Sequence, residues 1–140
     1  QQPISVAPLP AKLLVPFRQH AGEAAKPVVQ VGDHVLKGQL IGEPVGFISS
    51  AVHAPTSGTI TAIDLQPVAH PSGLPDLCAT LVPDGKDEWI PREAIDHRSL
   101  PAEELRRRLR MSGIVGLGGA VFPSDIKLRP RVRASACRRR

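Results

Sequence analysis

Val31-Gly32-Asp33-His34-Val35-Leu36-Lys37-Gly38-Gln39-Leu40-Ile41, followed after a twelve-residue gap by Ala54-Pro55-Thr56-Ser57-Gly58-Thr59-Ile60, is the stretch on which the fold turns. Turn chemistry interrupts the apolar residues at intervals too short for a helix. Gly32-Asp33, Lys37-Gly38 and Pro55–Gly58 read as turns, with glycine tolerating positive φ at Gly32 and Gly58. Working outward, Val28–Val31, Val35–Ile41, Gly46–Val52, Thr59–Ile63 and Cys78–Val82 read as strands, and Pro71–Pro75 as a loop. Lys12–Phe17 reads as an edge strand, because Pro16 cannot donate to a ladder. Short strands punctuated by turns roughly every 8–12 residues suit a sandwich or small barrel. The polar stretch 83–98, with the single Trp89, reads as a connector.

Composition points the same way. The 140 residues allow one domain, or one small domain and a piece of another. Apolar residues make up 41% but aromatics only 3%, and 12 glycines and 15 prolines favour a turn-rich β domain over a helical bundle. The net charge of +5 invites a nucleic-acid partner. Its distribution argues against one: residues 129–140 hold six arginines and no acid, leaving residues 1–128 with 12 bases and 13 acids. We therefore expect no specific nucleic-acid partner. The tail has no apolar period and reads as a basic, disordered segment. No apolar run approaches the roughly 20 residues a bilayer requires, and no basic-then-apolar signal segment is present. Two cysteines, Cys78 and Cys137, make neither a disulfide framework nor a complete metal site, so a cytosolic setting is the default. The first residue is glutamine, and we expect a fragment of a longer protein.

Residues 99–113 form the one clear helical pattern. Ser99 is the expected N-cap, Pro101 lies in the first turn, and Glu103 and Glu104 favour the positive end. Leu105 and Leu109 are four apart, and Gly113 is a natural residue to end the helix. Arg106, Arg107 and Arg108 read as a solvated face. The histidines have no metal-ligand spacing, and His53 and His70 are read as structural or surface residues. Cys78 is read as a small buried hydrophobe. Ser57 and Ser72 sit in turns without a nucleophile-elbow pattern. No catalytic or metal-ligating residue is assigned.

The opening stretch resembles the lipoyl/biotinyl-type barrel-sandwich hybrid, whose hallmarks are a V-G-D-x-V-x-x-G-Q run and an A-P-x-S-G-x-V run. Carrier domains of that type bear their modified lysine on the hairpin between the two runs. Here that hairpin is Glu43-Pro44-Val45-Gly46-Phe47-Ile48-Ser49-Ser50, and no lysine lies between Lys37 and Lys86. The scaffold is similar, but the carrier chemistry has no amine to use.

Downstream, Gly116-Leu117-Gly118-Gly119-Ala120-Val121-Phe122-Pro123-Ser124-Asp125-Ile126-Lys127-Leu128 packs glycines closely enough for backbone N–H groups to approach a phosphate or a flat ring. It resembles the G-L-G-G-A-G-F-P-[TS]-x-x-K-L run of the RnfC (RsxC) family, a component of the Rnf (Rsx) electron-transport complex. A related run occurs in the flavin subunit of respiratory complex I. Gln19-His20, Val52–Gly58, Val68–Leu74 and the Glu103–Gly113 helix are similar to RnfC in the same order, so the resemblance covers about residues 8–128.

The resemblance implies a fold and a function. The fold is mainly β, with a barrel-sandwich hybrid at 1–90, a connector, helix and glycine-rich start of an incomplete α/β flavin domain at 91–128, and a tail at 129–140. The intact protein would be a peripheral component on the cytoplasmic side of the bacterial inner membrane. It would move electrons between NADH and ferredoxin, coupled to ion transport, through FMN and [4Fe–4S] clusters. Its partners would be the other subunits of the Rnf/Rsx complex. Gly116, Gly118 and Gly119 would line the flavin, Phe122 would lie near the nicotinamide, and Lys127 near the flavin phosphate. Val121 stands where the family has a second loop glycine, and a β-branched residue is an outlier there if the position needs positive φ. After Leu128 the family run gives way to arginines, and Cys137 has no cluster partners. The fragment is expected to be inactive alone, with no cofactor bound. The alternative is a non-catalytic docking module of a membrane redox complex.

Overall fold

The computed structural model of the chain describes residues 3–5, 7–70 and 72–129. Two antiparallel sheets make the barrel. The strands in chain order are β1 Leu13–Pro16, β2 Lys26–Pro27, β3 His34–Val35, β4 Leu40–Glu43, β5 Val52–His53, β6 Gly58–Pro67 and β7 Pro75–Pro83. The larger sheet has the order β1-β7-β6-β3, and the smaller the order β2-β4-β5. The long β6–β7 hairpin pairs Gly58 with Pro83 at one end and Pro67 with Pro75 at the other, with a bulge between Ile60 and Ala62. β1 lies at the sheet edge, where the missing N–H of Pro16 does no harm.

Phe17, Val35, Ile41, Ile60 and Leu81 are fully buried at the centre of the barrel. Burying each such side chain stabilises the fold by about 1.5–3 kcal/mol. The two motif runs supply Val35, Ile41 and Ile60, and the turns between them set the register. Gly32 takes φ +99°, as a tight turn requires. Gly58 is a glycine for another reason. Its φ is not positive; a Cβ there would collide with the Val82 carbonyl.

Several sequence expectations are corrected. The strand expected at Val28–Val31 falls instead at Lys26–Pro27. Val28 still donates to the Ile41 carbonyl, but an Asp33 carboxylate accepting the Gln30 N–H turns the chain away. Gly46–Val52 is a loop up to Val52. Its polar groups pair with other segments rather than with a ladder: the Ser49 hydroxyl donates to Glu23 O and the Ser50 N–H to the His20 ring.

Residues 84–90 are part of the barrel's structure rather than a connector. Asp84 accepts the Ser57 hydroxyl at 2.7 Å and contacts His34 at 2.9 Å. Asp87 accepts from Lys37 at 2.6 Å and from Thr56 at 2.8 Å. Glu88 and Ile90 share backbone bonds with Lys37. Trp89 lies against Gly38 and under the Lys37 ammonium. The segment straps the two motif turns together.

The helix α1 spans Ala102–Met111 and starts after Pro101. Ser99 is not its cap, because its hydroxyl donates to Asp96 O. Glu104 pairs with Arg107 and Arg108, and those two hydrogen-bonding guanidinium groups hold its carboxyl at about 2. Gly113 closes the helix with φ +70°. The short α2, Ser124–Lys127, follows the glycine-rich segment and packs on α1. The tail expectation falls almost wholly on residues 130–140, which lie outside the described residues.

Candidate functional site

The glycine-rich segment folds as a small irregular hairpin. A bridge between Val115 and Pro123 closes its base. The Gly116 N–H donates to Phe122 O at 2.9 Å and the Ser124 N–H to Ile114 O at 3.0 Å. The tip is a turn in which the Val121 N–H donates to Gly118 O at 3.0 Å. Val121 takes φ +44°, in the left-handed region where a β-branched side chain is strained. Its carbonyl accepts the Ala21 N–H at 3.2 Å and so ties the tip to the barrel.

This hairpin brings Gly116, Phe122 and Lys127 together. The Lys127 ammonium, the end of a flexible exposed side chain, lies 2.5 Å from where a Cβ on Gly116 would stand. Among the described residues Lys127 has neither a carboxylate nor a hydrogen-bond acceptor. Gly118 and Gly119 face open space. Phe122 is half-buried.

A cleft of about 730 Å³ separates the hairpin tip from the barrel. Its wall comes from three distant segments: the end of β1 with the loop after it, the tip of the β6–β7 hairpin, and Gly119–Val121. In the sequence, Gln19-His20 and Val68–Leu74 stand out only through the family resemblance. No pattern signals that chain separations of about fifty residues close into one cleft with the glycine segment. Arg18 and Asp76, which carry charge there, have no local motif to mark them; their pair spans 3.1 Å. His20 is buried. Its Nε2 accepts the Ser50 N–H, so Nδ1 carries the hydrogen and donates to Ala21 O. That ring fixes the residue whose N–H holds Val121.

Other constellations do not make sites. Ser57, Asp84 and His34 are in contact, but the serine donates to the aspartate and not to the histidine, so nothing activates it. The Lys86 amide, the Ser57 hydroxyl and His34 together hold the Asp84 carboxyl down to about 2. Cys78 is fully buried, and burial together with the Asp76 and Asp64 charges pushes its thiol up, away from thiolate reactivity. His53 is likewise structural; burial lowers it, partly offset by a Met111 backbone contact. No group of three metal-ligating side chains occurs among the described residues. Where carrier domains present a lysine, this chain docks α1. Arg110 donates to Val45 O and Gly46 O at 3.2 and 2.7 Å, and the Ala51 N–H donates to Arg110 O.

Comparison with known proteins is consistent with this architecture. The family model described as the RnfC barrel sandwich hybrid domain matches residues 1–86. A protein of Serratia proteamaculans, named as the C subunit of an ion-translocating oxidoreductase complex, is 50% identical over 90% of this chain and 18% of its own length. Proteins of the same name from Pseudomonas aeruginosa and Rhodobacter capsulatus are 46% and 42% identical, over 92% and 93% of this chain and 17% and 25% of theirs. The chain thus spans a quarter or less of the length of these relatives.

Proposed function

The chain belongs to the RnfC barrel sandwich hybrid domain family, and on that premise we propose that it is the N-terminal part of an RnfC-type component of an ion-translocating oxidoreductase complex. The intact protein moves electrons between NADH and ferredoxin through FMN and [4Fe–4S] clusters. It sits peripherally on the cytoplasmic face of the inner membrane, against the other subunits. The observation that carries the reading is the hairpin at Val115–Pro123. Its open glycine face and unpaired Lys127 ammonium are what a flat, phosphorylated ligand needs.

The residues present fit one side of a flavin site and nothing more. Bound FMN would supply the conversion between hydride and single-electron chemistry. The chain's own part is positional. Lys127 would neutralise phosphate charge, Gly118 and Gly119 would let the ligand approach the backbone, and Phe122 would pack beside it. Val121 narrows the approach. The described residues offer no cysteine set for a cluster, so no electron step is assigned to them.

The 140-residue chain alone is expected to hold no FMN tightly and to be inactive. Mixed with a related RnfC from which the matching N-terminal region has been removed, it should associate and restore NADH-dependent ferredoxin reduction. Tight FMN binding by the chain alone, or failure to associate, would overturn the reading.

A further inference from the structure

The chain contains one Asp-Gly bond, Asp84-Gly85, at the start of the strap. An aspartate followed by glycine is the dipeptide most prone to rearrange, because no side chain hinders the glycine nitrogen as it approaches the aspartyl carboxyl. Here that nitrogen is available. The Gly85 N–H donates to no acceptor among the described residues. Gly85 sits at φ +78°, with nothing within 4 Å of where a Cβ would stand. The carboxyl beside it is the opposite case. Its Oδ1 accepts the Ser57 hydroxyl at 2.7 Å and the Lys86 N–H at 2.9 Å. Its Oδ2 lies 2.9 Å from His34 Nε2, and the Asp84 side chain is only 19% exposed. Both carboxyl oxygens are held, by donors that favour the ionised form.

We propose that Asp84-Gly85 is a latent isoaspartate site, kept from closing by the Ser57, Lys86 and His34 contacts and exposed to reaction when the strap opens. In that reaction the Gly85 nitrogen bonds to Asp84 Cγ and gives up its proton. The bond from Cγ to one carboxyl oxygen breaks, and the oxygen leaves as water with the amide proton and the acid's own. Water then adds to one carbonyl of the five-membered imide and breaks that carbonyl's bond to nitrogen, which regains a proton. Opening at the Asp84 backbone carbonyl leaves the chain running through Cγ. Nothing is oxidised or reduced, and water is the only co-reactant. The neutral acid is the reactive form, since an ionised carboxyl has no oxygen ready to leave. The contacts therefore oppose closure twice. They pin the carboxyl, and the Lys86 amide, the Ser57 hydroxyl and His34 hold it down to about 2, so that little neutral acid exists near pH 5, roughly. After the change the backbone is one carbon longer and the carboxyl stands on Cα. The contacts to Ser57 and His34 cannot re-form in the same geometry, so the Pro55–Gly58 turn loses its clamp. The modification records that the strap had opened.

The test is incubation of the whole chain at about pH 5, native and unfolded in urea, with isoaspartate at each aspartate followed by peptide mapping and electron-transfer fragmentation. In urea, Asp84 is expected to isomerise ahead of every other aspartate. In the native chain its rate should be lower by about tenfold or more, as the loss of neutral acid alone requires. Ser57→Ala removes a donor to Oδ1, and His34→Ala removes the Oδ2 contact of a half-exposed ring. Each variant should isomerise severalfold faster than the native parent. An amide spectrum unchanged away from the strap checks that they fold, and His34→Ala decides the matter if Ser57→Ala does not. A native chain that isomerises as fast as the urea-unfolded one, a folded His34→Ala variant no faster than the parent, or another aspartate ahead of Asp84 in urea would each overturn the proposal.

Discussion

In the barrel, the Lys37-Gly38 and Pro55–Gly58 turns are closed by side chains arriving from elsewhere in the chain. Ser57 is held by Asp84, Thr56 and Lys37 by Asp87, and Gly38 lies under Trp89. In the glycine hairpin, the tip closes on its own backbone and makes a single backbone bond to the barrel, from Ala21 to Val121. Two of its glycines face open space, Leu117 is fully exposed, and Val121 sits in a strained conformation. The first region spends its polar groups on itself. The second leaves them unspent, as a surface does when its partner is a ligand or another part of a larger protein. Stability is therefore expected to be concentrated in the barrel and nearly absent from the hairpin.

The largest effect should come from the barrel core. Phe17→Ala removes a fully buried ring from between the sheets and should cost about 3–5 kcal/mol. That is enough to unfold much of a small domain, and chemical denaturation would read it. Gly58→Ala should come next, because a Cβ meets the Val82 carbonyl within a paired strand and the backbone must move. A loss of about 2 kcal/mol or more is expected. If it costs nothing, the β6–β7 pairing at that end is looser than described.

The strap gives an intermediate test with a pH signature. Ser57→Ala removes a buried hydroxyl that donates to Asp84 and accepts the Glu88 N–H. It should cost about 1–2 kcal/mol. The Asp84 carboxyl is lowered from 3.8 to about 2 in the folded chain. Its contribution is thus fully present above the unfolded value and is lost as pH falls from 3.8 through about 2. Asp84→Asn should flatten that part of the stability curve and leave the curve above pH 5, roughly, parallel to the parent's. An unchanged acid limb would show that the strap does not hold the turns.

The barrel is legible in the sequence because its motif turns carry local chemistry: Gly32-Asp33 and Pro55–Gly58 declare themselves within four residues. The edge position of β1 follows from Pro16 alone. The strap is hidden because its acids are answered about thirty and fifty residues away, by Ser57 and His34, and a polar run with one tryptophan has no period to betray packing. The strand expected at Gly46–Val52 fails for a related reason. Its Val, Phe and Ile suit a strand, but the segment's polar partners are His20 and Glu23 rather than a neighbouring ladder. At the site, the glycines and Lys127 are legible as a run, whereas Arg18 becomes visible only when the cleft brings it to the glycine tip.

The smallest effect discriminates most finely between the two regions. Val121 occupies φ +44° with a branched Cβ, a conformation costing of order 1–3 kcal/mol for such a residue. Glycine relieves that strain but gives back part of it through the larger freedom of the unfolded chain. Val121→Gly should therefore stabilise by about 1 kcal/mol or less. Because the hairpin contributes little to the barrel's core, the gain should appear in hydrogen exchange of the Val121 and Gly116 amides more than in the global unfolding midpoint. Slower exchange at the tip with an unmoved midpoint would establish that the hairpin opens independently of the barrel. A midpoint that rises by the full amount would mean the two regions unfold as one, and that the Ala21–Val121 bond couples them more tightly than a single contact suggests.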